Sequence, residues 1–411
     1  MSSTYKTRAG DTFDVISRRV YGEESGAADI ITANPGLIAP FRAGILITIP
    51  ERPELPKDRI AQGESSVDSE VAILIDGQRF RFWESISLTD HLDSIQTLTF
   101  TAPFDPSDEK FRQIFKPFSY RDVVVTVGGN TYFTGTLLNV SPSVESDRSV
   151  VVVQAYSKPG VLADCTLPAS SYPQNESSDQ TLEEIAQTMA KPFGIGVTFF
   201  GDNGGTIQRA AIDPGQDVFS YLVGLAKQKN LLLSSRSNGD LLFSQAIDRG
   251  IPIARLEQGQ SPLTSVGATF SPQVYFSHIT GISPTLVGEE GAQFTYKNEN
   301  LSGVTRPTTF NATDTQNSNI KKAVDSKAAR MFGNMVSYQV GVSTWKDQRG
   351  VIWEPNNVLE LRAPGAMIYR STEFLIRSVS LNKDSKSESA TLELCLLGSF
   401  TDRTPRSLPW E

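Results

Sequence analysis

Two apolar runs of period two, joined by Asp76-Gly77, constrain this chain more than any other feature. Val71-Ala72-Ile73-Leu74-Ile75 and Gln78-Arg79-Phe80-Arg81-Phe82-Trp83 flank the pair. Asp-Gly accepts the positive φ that a type I′ turn demands, so the segment reads as a hairpin. Val123-Val124-Val125-Thr126-Val127, Gly128-Gly129 and Thr131-Tyr132-Phe133-Thr134-Gly135 repeat the pattern, and Ser149 to Ala155 is another strand. Residues 70–165 therefore predict an antiparallel barrel or sandwich.

The period then changes. Thr181-x-x-Glu184 is a capping-box pattern ahead of Leu182, Ile185, Ala186 and Met189 on one helical face. Asp217 precedes a second helical stripe, Phe219, Leu222, Val223 and Ala226, and Leu231–Ser234, Asn238-Gly239 and Leu241–Phe243 read as a hairpin. Residues 166–250 are thus a small α+β insertion. From residue 251 to 411 the chain is mainly β again. A helix is expected at 319–332 and strands at 336–342, 358–361, 373–381 and 390–397. The polar stretch 285–319, rich in Gly, Thr and Asn, predicts a long mobile loop. The two β-rich regions cannot be proved alike from their sequences.

Ahead of this lies a compact unit, residues 1–52. Tyr5–Thr7 predicts a short strand, Asp11 or Thr12 caps a helix with Phe13, Ile16 and Val20 on one face, and Ala27–Ala33 forms a second helix. Pro35 disfavours helical geometry at Asn34, so that helix stops there. Ile45–Pro50 closes the order β-α-α-β. Residues 53–69, with Pro53 and Pro56, read as a linker. The fold class is α+β, mainly β.

Chemistry is sparse. The chain has two histidines, His91 and His278, and neither stands in a Ser-His-Asp, Cys-His or zinc-ligand spacing. Gly194-Ile195-Gly196 lacks the third glycine and the helix of a dinucleotide loop and reads as a turn into Val197–Phe199. Asp202-Asn203-Gly204-Gly205 lacks the spaced ligands of a calcium loop. No catalytic, cofactor or metal residues are assigned, and no cofactor is expected. No sequence feature singles out a carboxylate pair for glycoside hydrolysis. Cys165 and Cys395 lie far apart, and Cys395 sits in a buried-strand pattern.

The net charge is −8, which argues against grip on DNA by phosphate neutralisation. The start Met1–Lys6 lacks a signal-peptide apolar stretch. No run approaches the roughly 18 apolar residues of a membrane helix, so a cytoplasmic product without membrane insertion is expected.

Two resemblances carry the functional expectation. Gly10-Asp11-Thr12-Phe13-Asp14, Tyr21-Gly22, Ala33-Asn34-Pro35-Gly36-Leu37 and Ala43-Gly44 before Ile47-Thr48-Ile49-Pro50 resemble the LysM-type tail protein X of contractile phages. Phe13 stands where leucine is commoner. From residue 70 onward the chain resembles the Mu-like baseplate hub family. Gly135 in its Tyr-Phe-Thr-Gly-Thr context, Ala155–Cys165, Thr181–Ala186, Pro192–Ile195 and Trp345–Asn356 carry the likeness, with Ala155 where the family has glycine.

The resemblance implies a homotrimer whose subunits each carry two similar barrels, giving a pseudo-sixfold ring in a virion tail baseplate assembled in a bacterial cytoplasm. The ring joins a hexameric tail tube, or its initiator, to a trimeric central spike and lets DNA pass without tight binding. The LysM module then has a candidate groove at Gly10, Asp11, Thr12, Asn34 and Pro35. Its partner is either a neighbouring baseplate wedge protein or, in the alternative reading, peptidoglycan. A lytic tail enzyme is disfavoured by the missing catalytic signature.

Overall fold

The structure, a computed structural model, describes residues 3–8, 10–21, 27–34, 37, 39–49, 70–144, 148–174, 176–201, 205–282, 292–311, 317–401, 404–405 and 408–411. The expected linker 53–69, the groove residue Pro35 and residues 285–291 and 312–316 of the expected loop 285–319 lie outside these residues. The chain divides into two compact units, Met1–Val67 and Asp68–Glu411.

The first unit runs β1 (Ser3–Lys6), α1 (Phe13–Tyr21), α2 (Ala27–Ala33) and β2 (Leu46–Ile49), with β1 and β2 antiparallel. The apolar stripe of α1 supplies Phe13 and Ile16 to a small core with Ile30, Phe41, Ile47 and Ile49.

The second unit is mostly β. Its first region holds β3 (Val71–Ile75), β4 (Gln78–Phe80), β5 (Ser85–His91), β6 (Thr97–Pro103), α3 (Glu109–Ile114), β7 (Asp122–Val127), β8 (Asn130–Val144) and β9 (Ser149–Ser157). The Asp76-Gly77 hairpin forms as the sequence predicts, both turn residues with positive φ. The insertion follows with α4 (Val161–Asp164), β10 (Glu176–Thr181), α5 (Leu182–Ala190), β11 (Val197–Phe199), β12 (Thr206–Ala211), α6 (Val218–Gln228), β13 (Leu232–Ser235) and β14 (Leu241–Ser244). Thr181 and Glu184 make the capping box, Asp217 accepts from Ser220 N at 2.7 Å, and the two apolar stripes meet in a core of the insertion's own.

The last region holds β15 (Arg255–Glu257), β16 (Leu263–Phe270), β17 (His278–Ile282), β18 (Gln293–Lys297), β19 (Pro307–Asn311), α7 (Asn317–Met335), β20 (Val336–Val342), β21 (Val358–Ala363), β22 (Ile368–Asp384) and β23 (Glu388–Leu396). Part of the span 285–319, expected as a loop, is strand: β18 and β19 flank β17 in a three-stranded sheet packed on α7. The alternation Gln293-Phe294-Thr295-Tyr296-Lys297 turns its two rings toward the core, and burial of those rings outweighs the polar composition that suggested a loop.

The two β-rich regions are hydrogen-bonded into one sheet with the order β16-β20-β23-β22-β5-β6-β9-β8-β7-β3-β4. The seam is β5 against the second half of β22, from Ser378↔His91 to Asp384↔Ser85. Each side of the seam contains the same four-strand unit. β5-β6-β9-β8 matches β16-β20-β23-β22 in order, and every pair in both is antiparallel. The long strands β8 and β22 have 15 and 17 residues and each turns into a nine-residue partner. A register shift falls at the same place in both, between Leu137 and Asn139 and between Ile376 and Ser378. β7 on β8 and β21 on β22 repeat the match, each with a shift of its own. One chain therefore holds two copies of one architecture.

Close approach explains Gly135. A Cβ there would lie 2.1 Å from the Tyr156 carbonyl oxygen and 2.6 Å from the Phe133 ring. Gly160 likewise lies against the face of the Tyr156 ring, its Cβ position 2.3 Å away. Gly135→Ala should lower stability by about 2–3 kcal/mol, because backbone must shift. Gly224→Ala, in α6 with open space at its Cβ position, should raise stability by about 0.5–1 kcal/mol. Denaturant midpoints of the two variants check both.

Candidate functional surfaces

In the first unit the expected groove residues serve the fold. Gly10 has φ +88° and donates its N–H to Phe41 O at 2.9 Å. Asp11 is only 3% exposed, and its carboxylate accepts from Tyr5 Oη at 3.0 Å, Arg8 N at 2.8 Å and Arg19 Nη1 at 2.6 Å. Burial alone would lower the Arg19 pKa, but the Tyr5 hydrogen bond and the Asp11 charge raise it overall. Thr12 Oγ1 accepts from Val15 N at 3.3 Å at the start of α1. Asn34, 9% exposed, donates to Ile30 O and Thr48 O at 2.8 and 2.7 Å and accepts from Thr48 N at 2.8 Å. It thus ties the end of α2 to β2. Asp11 and Asn34 are committed internally, and Thr12 Oγ1 is the side chain of this set placed at a helix start.

In the second unit the motifs of the hub resemblance are joints. Ser157 Oγ donates to Ser235 Oγ at 2.8 Å, and Gln96 N donates to the same Ser235 oxygen at 2.9 Å, both buried. These bonds fasten the insertion to the first β region. Trp345 Nε1 donates to Asn382 O and Ser389 O, and Trp353 Nε1 to Thr344 O, each at 3.0 Å. Asp347 accepts from the backbone N of Arg349 and Val351 at 2.8 and 3.1 Å, closing a turn in which Gly350 has φ +80°. Asn356 accepts from Ile247 N at 2.9 Å and donates to Gln245 O at 3.0 Å, so this motif grips the far end of the insertion.

The seam carries a half-buried cluster of charges. Arg377, at the β22 register shift, donates to Asp93 Oδ2 at 2.8 Å and Asn334 Oδ1 at 3.3 Å, with Glu393 at 3.7 Å. Arg377 and Arg330 both lie over the Phe400 ring, at 5.2 and 5.8 Å. Burial lowers the Arg330 pKa to about 10. For Arg377 burial lowers the pKa, but the neighbouring Asp93 charge and hydrogen bond raise it overall. His91, beside this cluster, has its pKa lowered by burial against the pull of Asp93 and Glu393. No group of His, Cys, Asp and Glu among the described residues could hold a metal. His278 Nδ1 faces Ser277 Oγ at 3.0 Å within a sheet. A polar concavity in the insertion includes Glu176, whose Oε1 is taken by Arg209.

Several large side chains remain exposed. Phe118 and Tyr120, 87% and 63% exposed, have φ of 58° and 48°. Such backbone is costly for aromatics and persists only where neighbouring structure fixes it. Arg121 anchors the loop through Asp76 and Gln113 O. The outer edge of β16, and the edge of the last residues of β8 that faces away from β9, have no strand beside them among the described residues. Sequence reasoning marked neither edge, since an edge is defined by strands elsewhere in the chain.

Residues 159–245 match the model "Baseplate hub protein gp44-like, second domain", and residues 3–56 match "Phage Tail Protein X". The baseplate hub protein gp44 of Escherichia phage Mu is 22% identical over 331 residues, 76% of this chain and 83% of that protein. The chain resembles the Mu-like baseplate hub proteins. The 43 kDa tail protein of prophage MuSo2 from Shewanella oneidensis superposes with a TM-score of 0.69 at 23% identity, over 80% of this chain and 99% of that one. A tail protein from Neisseria meningitidis MC58 gives 0.69 at 18%, over 81% and 98%. The family model spans the insertion, and the two tail-protein structures share the fold over about four fifths of the chain.

Asp11→Ala should destabilise the first unit by about 2–3 kcal/mol, since it removes a charged acceptor from three donors. Thr12→Ser should stay within about 0.5 kcal/mol, because serine caps equally well. Amide hydrogen exchange across residues 3–49 of the full chain reads both.

Proposed function

We propose that this chain is the central hub of a contractile phage-tail baseplate. Three copies close a ring of six β units that adapts a hexameric tail tube to a trimeric central spike, and the ring lines the path of DNA. The observation that carries the reading is the duplication within one chain: two matching four-strand units in one sheet. A trimer of such chains is quasi-sixfold, which is what an adaptor between sixfold and threefold partners requires. The acidic balance of the chain, −8, supports passage of DNA rather than grip.

The first unit is, in this proposal, a LysM-type module that docks on a neighbouring baseplate wedge protein. Its groove side chains Asp11 and Asn34 have their hydrogen-bonding capacity spent inside the unit. That favours a protein neighbour over the alternative of peptidoglycan, whose sugars need free polar partners.

Native mass spectrometry of the full chain should give three times the 44.9 kDa chain mass. A monomer at high concentration with the spike present would sink the hub reading. Co-sedimentation with purified peptidoglycan should leave the full chain in the supernatant at micromolar concentration. Pelleting would transfer the first unit to the cell-wall reading.

A further inference from the structure

The internal match extends to residues. The bulge fixes the alignment, because Asn139 and Ser378 each follow a register shift directly. Reading across the strands, Asn139 pairs with Gln154, Gln154 with Thr99 and Thr99 with Ser87. In the second unit Ser378 pairs with Glu393, Glu393 with Gln339 and Gln339 with Gly267. Hence β16 is the counterpart of β5, with Ser265, Val266 and Thr269 standing for Ser85, Ile86 and Thr89. The end of β8 is the counterpart of the half of β22 that forms the seam.

Within the chain, β5 and β22 satisfy each other. Among the described residues their counterparts have no strand partner on that edge. β7 pairs with β8 only as far as Thr136, and Leu137 N donates to Arg121 O, so among the described residues no strand covers that edge of residues 139–144, and Val144 is 78% exposed. β16 is the terminal strand of the sheet. Residues 258–277, which contain it, carry no Asp, Glu, Lys or Arg. Proteins normally blunt a free edge with charge or shortness, as β4 does with three residues and Arg79. An eight-residue edge with no charge is instead built to be paired.

We propose that the end of β8 in one copy pairs antiparallel with β16 of a second copy, repeating between subunits the seam that β22 and β5 form within one. This rests on the hub reading and specifies its subunit contact. The register follows from the alignment: Val140 opposite Phe270, Ser141 opposite Thr269, Ser143 opposite Gly267 and Val144 opposite Val266. One chemical detail repeats. In the seam Thr89 Oγ1 and Ser380 Oγ are 3.0 Å apart, and their counterparts Thr269 and Ser141 are again a threonine and a serine. The ladders differ at Pro142, which replaces Leu381 and has no N–H to donate. Proline is tolerated on an edge strand, so the ladder between copies has one donor fewer.

The test is a cross-link in the full-length protein. Ser141→Cys with Thr269→Cys, both exposed positions, should form disulfide-linked dimers and trimers on mild oxidation in a denaturing gel. Either single variant, or Ser141→Cys with Ser265→Cys, should give at least tenfold less. Gly267→Lys places a charge on the edge where a Cβ meets nothing within 4 Å of the same chain. It should raise the apparent dissociation constant of the oligomer at least tenfold in analytical ultracentrifugation while leaving the circular dichroism unchanged. An oligomeric wild type whose matched cysteines stay unlinked, or whose Gly267→Lys variant associates as tightly, overturns the pairing and leaves the hub reading standing. A wild type that is monomeric throughout overturns both.

Discussion

The ladder between β5 and β22 is the interaction on which the second unit depends. It joins residues 291 positions apart in the chain, as Thr89 and Ser380 show, and turns two β-rich regions into one sheet with a shared apolar core. Closing so long a loop costs entropy that grows only slowly with length, and the ladder is reinforced where the cost must be recovered. Leu92 N donates to Arg377 O at 2.8 Å, and the Arg377 side chain reaches Asp93. Removing one partner of that half-buried pair would strand the other, so the seam is held in one register by charge as well as by backbone.

The insertion leans on the same framework. Its own core is complete, yet it is fixed at two ends by polar joints. These are Ser157–Ser235–Gln96 at one end and Asn356 with Gln245 and Ile247 at the other. Such joints set orientation more than stability, since a satisfied hydrogen bond contributes about 1 kcal/mol net. Ser157 and Asn356, which form two of these joints, and the close-packed Gly135 and Gly160 all lie in the stretches on which the sequence resemblance was read.

Local features were legible and distant ones were not. Asp76-Gly77, Thr181-x-x-Glu184 and Asp217 each encode their geometry within a few residues, and each appears as read. Alternation in Phe294 and Tyr296 was present, but polar neighbours masked it, and two strands were missed. The duplication escaped because it lives in strand order and bulge position, with few residues shared between β5 and β16. In the first unit Asp11 and Asn34 stood out as polar residues beside apolar runs. That Tyr5, Arg19 and Thr48 consume them could be seen only once β1, α1 and β2 were brought together.

The seam has one property that a matching contact between separate molecules lacks: its two strands belong to one covalent chain. A tether presents its ends to each other at an effective concentration that can reach millimolar or more, whatever the dilution of the protein. The β5–β22 ladder is therefore indifferent to expression level, whereas any contact through the open edges obeys mass action. Half of the joints in a ring built from such chains would be permanent and half conditional. The ring would come apart only at alternate seams, so that its smallest soluble piece is always an intact pair of β units.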